Sequence, residues 1–351
     1  MTQTLDFSLP ANQSAAKPPE LRAGGQRDKV RLLVLNRRTG KVIHSRFRRI
    51  ADFLAPGDLL VFNASRTLPV FLTGCREPDK SKVEVRLASH LPDNTWLALL
   101  HGAPEPEDCA CCAERTNVIS FGLGLSARLE SRHREIPGLW KMRFSVSGPA
   151  LIDLFYRLGE PVRYGHIAKP WDLNYYQTVY ARDPGSAEMP SAGRAFTWKT
   201  LLELRKKGVE TAYLTLHTGL SSYLDDEVDA RHLVVEEEYK IDQDAALKIE
   251  AARVGGRRIV AVGTTVVRAL ESTAQADGVV RATHGYTGLL ITPDYRLQVA
   301  NGILTGLHEP AASHLGLLSA FISPALLHQA YLVALRFGYL WHEFGDLNLI
   351  F

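Results

Sequence analysis

The spacing of hydrophobic and polar positions changes several times along the first half of the chain. Residues 11–28 are rich in Ala, Pro, Gly and Ser, which predicts a weakly ordered tail over residues 1–28. Two strand-like runs flank Arg38-Thr39-Gly40 in RLLVLNRRTGKVIHSRF and predict a hairpin. Residues 73–147 show short alternating runs broken by Pro and Gly, without helical periodicity. This stretch is typical of a small β-barrel.

Helical periodicity returns at SGPALIDLFYRLGE, and helix-like and strand-like runs alternate after residue 196. The helix TWKTLLELRKKG begins on Thr197, a good N-cap, and closes on Gly208. Further helices are DQDAALKIEAARVGG, VVRALESTAQA and two last ones, and the strands are RRIVAVG and runs around TGLLITP and NGILTGL. This alternation predicts an α/β fold with a mixed, largely parallel sheet. We expect one α/β domain over residues 29–72 and 148–351, with the β-barrel domain of residues 73–147 inserted.

Polar residues follow three of the predicted strands. They are His217 and Gly219 after the first, Gly263, Thr264 and Thr265 after the second, and Thr305 and His308 after the third. Ligands of open α/β sheets bind beyond the carboxyl ends of the strands. At the second strand end, a glycine permits close approach, and Thr264 or Thr265 is expected to cap a helix whose free N–H groups favour an anion. Each turn alone is explained by local structure, but three together favour a binding site.

The composition places the protein among ordinary globular chains. Of 351 residues, 46% are hydrophobic and 23% charged, and no apolar run approaches the length of a membrane span. The first twenty residues lack the basic-then-apolar order of a signal peptide. We therefore expect a cytoplasmic protein that makes no membrane contact. We also expect a monomer.

Basic residues are concentrated near the predicted hairpin. Residues 27–49 hold nine Lys or Arg and one acid, Asp28. This excess suits a polyanion such as the phosphate backbone of RNA. A solvated face, with the balancing acids elsewhere in the fold, is the alternative.

Three of the four cysteines are crowded together as Cys109, Cys111 and Cys112. With His101 they could supply four zinc ligands, but structural zinc usually takes two separated pairs. Free thiols in the inserted domain are the favoured interpretation.

Seven segments, in this order, resemble the S-adenosylmethionine:tRNA ribosyltransferase-isomerase family of queuosine synthesis over essentially the whole chain. They are RLLVLNRRTG, PGDLLVFNASRTLP, YYQTVYARDPGSAEMPSAGRAFT, LRKKGVETAYLTLHTGL, VAVGTTVVRALES, NGILTGLHEPAASHLGLLSAF and FGDLNLI. The resemblance implies an α/β domain with an inserted β-barrel, and catalysis without a metal. It also implies two partners, S-adenosylmethionine as a substrate and the anticodon loop of a tRNA.

The implied reaction uses S-adenosylmethionine as a ribosyl donor. A base removes a proton from the 5′ carbon of the ribosyl group, which the adjacent sulfonium acidifies. The amine of a 7-aminomethyl-7-deazaguanine in tRNA attacks the sugar, adenine and methionine leave, and epoxyqueuosine-tRNA is formed. Such a site needs a positioned base, donors for the methionine carboxylate and room for a flipped nucleotide.

Candidate residues for each task come from these segments, from RHLVVEEEY, which resembles the family's His-x-Met-His-x-Glu segment, and from the basic residues of the hairpin. The catalytic candidates are His217, His232, Glu237 and His308, with His217 or His232 as the base. The donor-binding candidates are Gly263, Thr264, Thr265, Arg268, Gly193, Phe196 and Thr305. The RNA-binding candidates are Asn63, Arg66, Arg37, Arg38, Arg46 and Arg48.

Several family motif positions are changed in this chain. Ala64 replaces an Asp, Ala195 and Val235 each replace a His, and Val266 replaces a Ser. Three interpretations follow: a diverged enzyme that keeps the reaction, a paralogue that binds RNA without catalysis, or a transferase that uses S-adenosylmethionine on another substrate.

Overall fold

The computed structural model describes residues 7–77, 79–102, 117–233, 235–274, 278–310 and 312–351. Within these ranges the α-helices are α1 (Gly148–Leu158), α2 (Trp198–Lys206), α3 (Asp226–Asp229), α4 (Gln243–Val254), α5 (Thr264–Thr273), α6 (Ser313–Ser319) and α7 (Pro324–Arg336). The first ten strands are β1 (Arg31–Leu35), β2 (Val42–Arg46), β3 (Leu59–Asn63), β4 (Ser65–Thr67), β5 (Phe71–Glu77), β6 (Lys82–His90), β7 (Trp96–His101), β8 (Val118–Gly122), β9 (Leu125–Arg132) and β10 (Leu139–Phe144). The others are β11 (Asp183–Ser186), β12 (Glu210–Leu216), β13 (Glu237–Ile241), β14 (Ile259–Val262), β15 (Thr283–Thr287), β16 (Gly302–Gly306) and β17 (Leu347–Ile350). Short 3₁₀ helices are Ala11–Gln13, Pro19–Leu21, Arg27–Lys29, Phe47–Phe53, Leu173–Tyr176 and Ser191–Gly193.

A nine-stranded mixed sheet forms the larger part of the molecule, in the order β15-β13-β12-β3-β14-β16-β17-β1-β2. Strands β12, β3, β14 and β16 form a parallel block. Strand β17 runs antiparallel to β16, and β1 is parallel to β17. The carboxyl ends of the central block and of β1 therefore lie at opposite edges of the sheet. The predicted mixed α/β fold is confirmed.

The two faces of this sheet carry separate hydrophobic cores. Strands β3 and β14 are buried along their whole length, as expected for strands covered on both faces. One core joins the sheet to α4, α5, α6 and α7, and the other joins it to α2 and the 3₁₀ helix Phe47–Phe53. Thr197 caps α2 by accepting a hydrogen bond from the Thr200 N–H, as the sequence predicts.

A closed barrel of six strands interrupts the α/β fold, in the order β10-β7-β6-β5-β8-β9. Alternate residues of its strands, such as Val83, Val85 and Leu87 on β6, fill its interior. The predicted inserted β-barrel is thus confirmed as an architecture. The Ser89 hydroxyl on β6 donates to the Glu236 carbonyl at 2.7 Å and ties the barrel to the segment before β13. Cys109, Cys111 and Cys112 lie outside the described residues.

The prediction of a weakly ordered tail is wrong for residues 11–28. Gln13 and Ala15 exchange backbone hydrogen bonds with Trp341 at 2.8 and 3.2 Å, and Arg22 donates to the Phe344 carbonyl at 2.6 Å. Ala15 is buried. The composition misled because this segment has little hydrophobic content of its own, and the hydrogen bonds that hold it to the rest of the molecule are made with residues distant in sequence.

The strand expected around TGLLITP is also displaced. Strand β15 covers Thr283–Thr287, and residues 288–293 are irregular. β15 pairs with β13 along its whole length, a contact between distant segments that the polar sequence THGYT does not signal. The Leu289 carbonyl instead accepts a hydrogen bond from Arg268.

Candidate active site

A cleft of about 900 Å³ opens at the carboxyl ends of β12, β14 and β16. The three polar strand ends singled out from the sequence meet there. Gly219, Gly263, Thr264, Thr265, Thr305 and His308 line it, together with Arg268, His232 and Glu237. Residues 187–192 and 218–233 form further walls, and Ser14 of the N-terminal segment contributes to the lining.

Gly263 makes the turn from β14 into α5. Its φ of +103° lies in the region that side chains disfavour, so a glycine is needed here. Helix α5 begins at Thr264, and its N-cap is Gly263, without a side-chain cap. The expectation that Thr264 or Thr265 caps this helix is therefore wrong. The uncapped first turn leaves backbone N–H groups at the cleft, where an anion is favoured.

Asn63 connects three elements below this turn. Its amide nitrogen donates to the Leu216 carbonyl at 2.8 Å and to the Thr265 hydroxyl at 3.2 Å. Its amide oxygen accepts from the N–H groups of Ser65 and Leu216 at 3.0 and 3.1 Å. Asn63 is 1% exposed, so the structure contradicts its assignment as an RNA contact. It positions the ends of β3 and β12 against α5.

Arg268 and Glu237 form an ion pair on the cleft wall. The Arg268 guanidinium also donates to the backbone carbonyls of Leu289 at 3.0 Å and Thr287 at 3.3 Å. Glu237 accepts a hydrogen bond from the Gly219 N–H at 2.7 Å. Both side chains are largely buried, with 16% and 9% exposed, so each fixes the other in place. The arrangement presents one positive and one negative group side by side.

His308 lies at the end of β16 and contacts Thr305. Its Nε2 is 2.8 Å from the Thr305 hydroxyl, and its ring stacks on His314 at 4.5 Å between centroids. Burial lowers the pKa of His308 well below its usual range and lowers that of His314 to about 4. Both imidazoles are therefore neutral at pH 7 and can each donate and accept one hydrogen bond.

The two histidines considered as the base occupy different places. His232 lines the cleft and has a φ of +51°, unusual for a residue with a side chain. His217 is not among the cleft-lining residues. Its Nδ1 lies 2.8 Å from the Ser65 hydroxyl, and burial lowers its pKa. Its ring covers Gly185, where a Cβ would lie 2.4 Å from Nδ1.

Gly193 and Phe196 lie behind the cleft, and neither lines it. A Cβ at position 193 would lie 1.9 Å from the Tyr180 hydroxyl, so this glycine is required by packing. Phe196 is fully buried, edge-on to Phe47 and Phe62 at 4.8 and 4.9 Å. The structure does not support direct contact of either residue with a donor.

The basic residues divide between the two edges of the sheet. Arg37 and Arg38 follow β1, at the edge opposite the cleft. Arg46 is the last residue of β2, and Arg48 lies in the 3₁₀ helix that follows; both are exposed. The antiparallel pairing of β1 and β2 places this end of β2 at the cleft edge. Arg66 is exposed on β4, next to the cleft-lining Thr67, and its guanidinium is 6.0 Å from the centre of the Tyr156 ring.

Of the four changed motif positions, one lines the cleft. Val235 does so, and it also packs against the outside of the barrel. Ala64, Ala195 and Val266 are buried and do not line it. None of these three replacements therefore adds an apolar side chain to the cleft surface.

Several ionisable side chains in the cleft were missed by sequence reasoning. Glu188 accepts hydrogen bonds from the Tyr164 hydroxyl and, at 2.6 Å, from the Ser221 N–H. His166 contacts Glu343 at 2.9 Å and stacks on His342 at 4.0 Å. Glu188 falls inside the matched segment DPGSAEMPSAG, which was the available signal. Nothing local marks His166 or His342. No group of three or more His, Cys, Asp or Glu in the described ranges is placed to hold a metal ion.

Comparison with known proteins gives these features a context. The family model of the queuosine biosynthesis protein matches residues 2–350. The chain belongs to this family. An S-adenosylmethionine:tRNA ribosyltransferase-isomerase of Moorella thermoacetica is 39% identical, covering 99% of each chain, and one of Carboxydothermus hydrogenoformans is 37% identical, covering 98% of each. Membership of the queuosine biosynthesis family confirms the resemblance predicted from the sequence.

A solved structure of the same kind supports the fold. The S-adenosylmethionine tRNA ribosyltransferase of Thermotoga maritima matches with a TM-score of 0.54 and 27% sequence identity, over 99% of each chain. The mixed sheet and barrel are therefore a queuosine biosynthesis protein fold. No helix within the described ranges combines the length and apolar character needed to cross a bilayer.

Proposed function

We infer that this chain is an S-adenosylmethionine:tRNA ribosyltransferase-isomerase. It transfers and isomerises the ribosyl group of S-adenosylmethionine onto a 7-aminomethyl-7-deazaguanine in tRNA, with release of adenine and methionine. The observation that carries this inference is the cleft, where an uncapped helix start and an Arg-Glu ion pair adjoin a space of about 900 Å³. Small-molecule sites usually occupy roughly 300–1,000 Å³, so this cleft is at the large end of the range. A donor and an inserted base require such room.

The donor's amino-acid end fits the Arg268–Glu237 pair. The methionine moiety carries a carboxylate and an ammonium on the same carbon, and the pair offers a cation and an anion side by side. The N–H groups at the start of α5 give the carboxylate a second partner. Gly263, Thr264, Thr265 and Arg268 thus remain the proposed donor-binding residues, with Glu237 added.

His232 is the proposed base for the 5′ proton. It lines the cleft, whereas His217 is held beside Ser65 and does not. His308 and Thr305 are proposed to hydrogen-bond the donor as a neutral pair, because the lowered pKa of His308 leaves its ring uncharged. Gly193 and Phe196 support the cleft from behind.

The proposed tRNA contacts are Arg66, Arg46 and Arg48. Arg66 adjoins the cleft, and Arg46 and Arg48 share its edge of the sheet. Strand β2 is three positions from β16, a distance of roughly 14 Å at the usual spacing of strands. When one nucleotide of the tRNA is bound in the cleft, the phosphates of its neighbours along the RNA backbone can span that distance to these arginines.

Two equilibrium titrations test the assignment. Calorimetry with S-adenosylmethionine, followed by calorimetry with tRNA that carries the deazaguanine precursor, is expected to show saturable binding of both. Binding of tRNA without S-adenosylmethionine would favour an RNA-binding paralogue. Binding of S-adenosylmethionine without tRNA would favour a transferase that acts on another substrate. Either result contradicts the proposed function.

A further inference from the structure

Glu188 differs from Glu237, another carboxylate that lines the cleft. Glu237 is neutralised by Arg268. Glu188 has neutral donors only, the Tyr164 hydroxyl and the Ser221 N–H. Among the described residues, no Lys, Arg or His lies within ion-pair distance of its carboxylate. A partly buried carboxylate on a cleft wall without a counter-ion is costly unless it meets a positively charged or proton-donating ligand.

The position of Glu188 points to the acceptor rather than to the donor. The Arg268–Glu237 pair is largely buried and already offers both charges that an amino acid requires. Glu188 binds the Ser221 N–H, and Glu237 binds that of Gly219, two residues earlier. These two N–H groups are therefore at most about 7 Å apart, because two residues of chain span no more than that. Ser221, which donates to Glu188, is exposed, and so is the cleft-lining Gly165, the neighbour of Tyr164. Glu188 therefore lies toward the solvent side of the cleft, from which a nucleotide of the tRNA must enter.

We propose that Glu188 is the general base that activates the acceptor, taking a proton from the ammonium group of the aminomethyl-deazaguanine, with Tyr164 positioning its carboxylate. The N–H bond breaks, an O–H bond forms on Glu188, and the electron pair left on nitrogen forms the C–N bond to the sugar. Adenine and methionine leave the sugar with the electron pairs of the bonds that held them. No other reagent is needed for this step. The inference rests on the proposed function and adds a second proton acceptor to the one required at the 5′ carbon.

The surroundings of Glu188 suit this task. Burial raises its pKa to about 7, and the negative charge of Glu343 adds to the increase, while the hydrogen bonds from Tyr164 and Ser221 oppose it. Tyr223 also faces this group, and burial raises the pKa of that phenol, so it stays neutral. His166 is held by Glu343. A carboxylate with a pKa near 7 is half ionised at neutral pH, which is the range in which a general base is most effective.

The test is the single-turnover rate of Glu188→Gln against pH, with saturating S-adenosylmethionine and precursor tRNA. In the wild type we expect the rate to fall as pH drops below about 7, because protonated Glu188 accepts no proton. Glu188→Gln should react at least about 100-fold more slowly at pH 7. Its rate should then rise about tenfold per pH unit toward pH 9, because alkylamines, with pKa values of about 10, begin to lose the proton unaided. The dissociation constant for S-adenosylmethionine should stay unchanged.

Two further variants separate catalysis from structure. Glu203→Gln, the same change on an exposed face of α2, should retain the wild-type rate and pH profile. Tyr164→Phe removes a donor that lowers the pKa of Glu188, so the acidic limb of the rate should move to higher pH. A Glu188→Gln rate equal to wild type, or a loss that is the same at every pH, overturns the proposal. A wild type that binds both substrates but forms no product instead overturns the proposed function.

Discussion

At the scale of single residues, the Arg268–Glu237 pair is the most informative contact. Arg268→Ala removes a charged partner of the donor carboxylate, a loss that typically costs about 2–5 kcal/mol. We therefore expect affinity for S-adenosylmethionine to fall at least about 30-fold, as measured by calorimetry.

The same change leaves Glu237 largely buried without its partner, so stability needs its own control. Arg268→Ala with Glu237→Gln removes both charges, and we expect it to recover the unfolding temperature but not the affinity. Recovery of affinity in the double variant would show that Arg268 acts by neutralising Glu237 and not by holding the donor.

Asn63 gives a second prediction at this scale, because all its hydrogen-bonding groups are used internally. Asn63→Asp keeps the size of the side chain but loses the two amide donors to Leu216 and Thr265. We expect a loss of about 2–4 kcal/mol in the free energy of unfolding, since a buried carbonyl loses its donor and a charge is introduced. Affinity for tRNA, measured where the protein is folded, should not change. A selective loss of tRNA binding would restore the role predicted from the sequence.

Residue types and motif order identified most of the groups that line the cleft. Errors arose because the type of a residue does not show which way its side chain points. Asn63, Gly193 and Phe196 fall in matched segments, yet each faces the interior. Glu188 lies between them in sequence and lines the cleft. Which side chains of an irregular segment face a site depends on packing with distant strands. One sequence does not contain that information.

At the scale of elements, the start of α5 should depend on the backbone of Gly263. A side chain at its φ of +103° costs roughly 1–3 kcal/mol, and relief of that strain would turn the first N–H groups away from the cleft. We expect Gly263→Ala to bind S-adenosylmethionine at least about tenfold more weakly by calorimetry.

Gly124 provides the matched control. It has a φ of +77° in the β8–β9 turn of the barrel, and no atom of the described residues lies within 4 Å of the position that a Cβ would take, so only the backbone would be strained. Gly124→Ala should lower the unfolding temperature but keep donor affinity. Equal affinity in both variants would argue that the α5 start does not bind the donor.

Periodicity predicted the helices and the buried strands well, because their patterns are local. Helix α2 begins after Thr197, and β14, which the run RRIVAVG predicts, is buried throughout. The N-terminal segment and β15 were missed for the opposite reason. Their order comes from contacts with distant partners, Trp341 in one case and β13 in the other.

At the scale of the whole molecule, the sheet topology places the basic residues of the hairpin at two opposite edges of the sheet. Arg46→Gln with Arg48→Gln should weaken tRNA binding and reduce its dependence on salt, since each lost phosphate contact lowers the slope of log affinity against log salt by about 0.7–0.9. Arg37→Gln with Arg38→Gln makes the same charge change on the same hairpin, at the edge away from the cleft. It should leave affinity and slope unchanged in a filter-binding titration. A larger loss of affinity in the Arg37 and Arg38 variant would place the RNA at the opposite edge of the sheet.

The central claim is that this cleft catalyses ribosyl transfer despite the changes at Ala64, Ala195, Val235 and Val266. The most direct measurement is chromatographic analysis of a reaction with S-adenosylmethionine and tRNA bearing 7-aminomethyl-7-deazaguanine. The account predicts adenine and methionine in equal amounts, each matching the amount of modified tRNA. Release of neither product while both substrates bind, or formation of methylated RNA and S-adenosylhomocysteine instead, would contradict it.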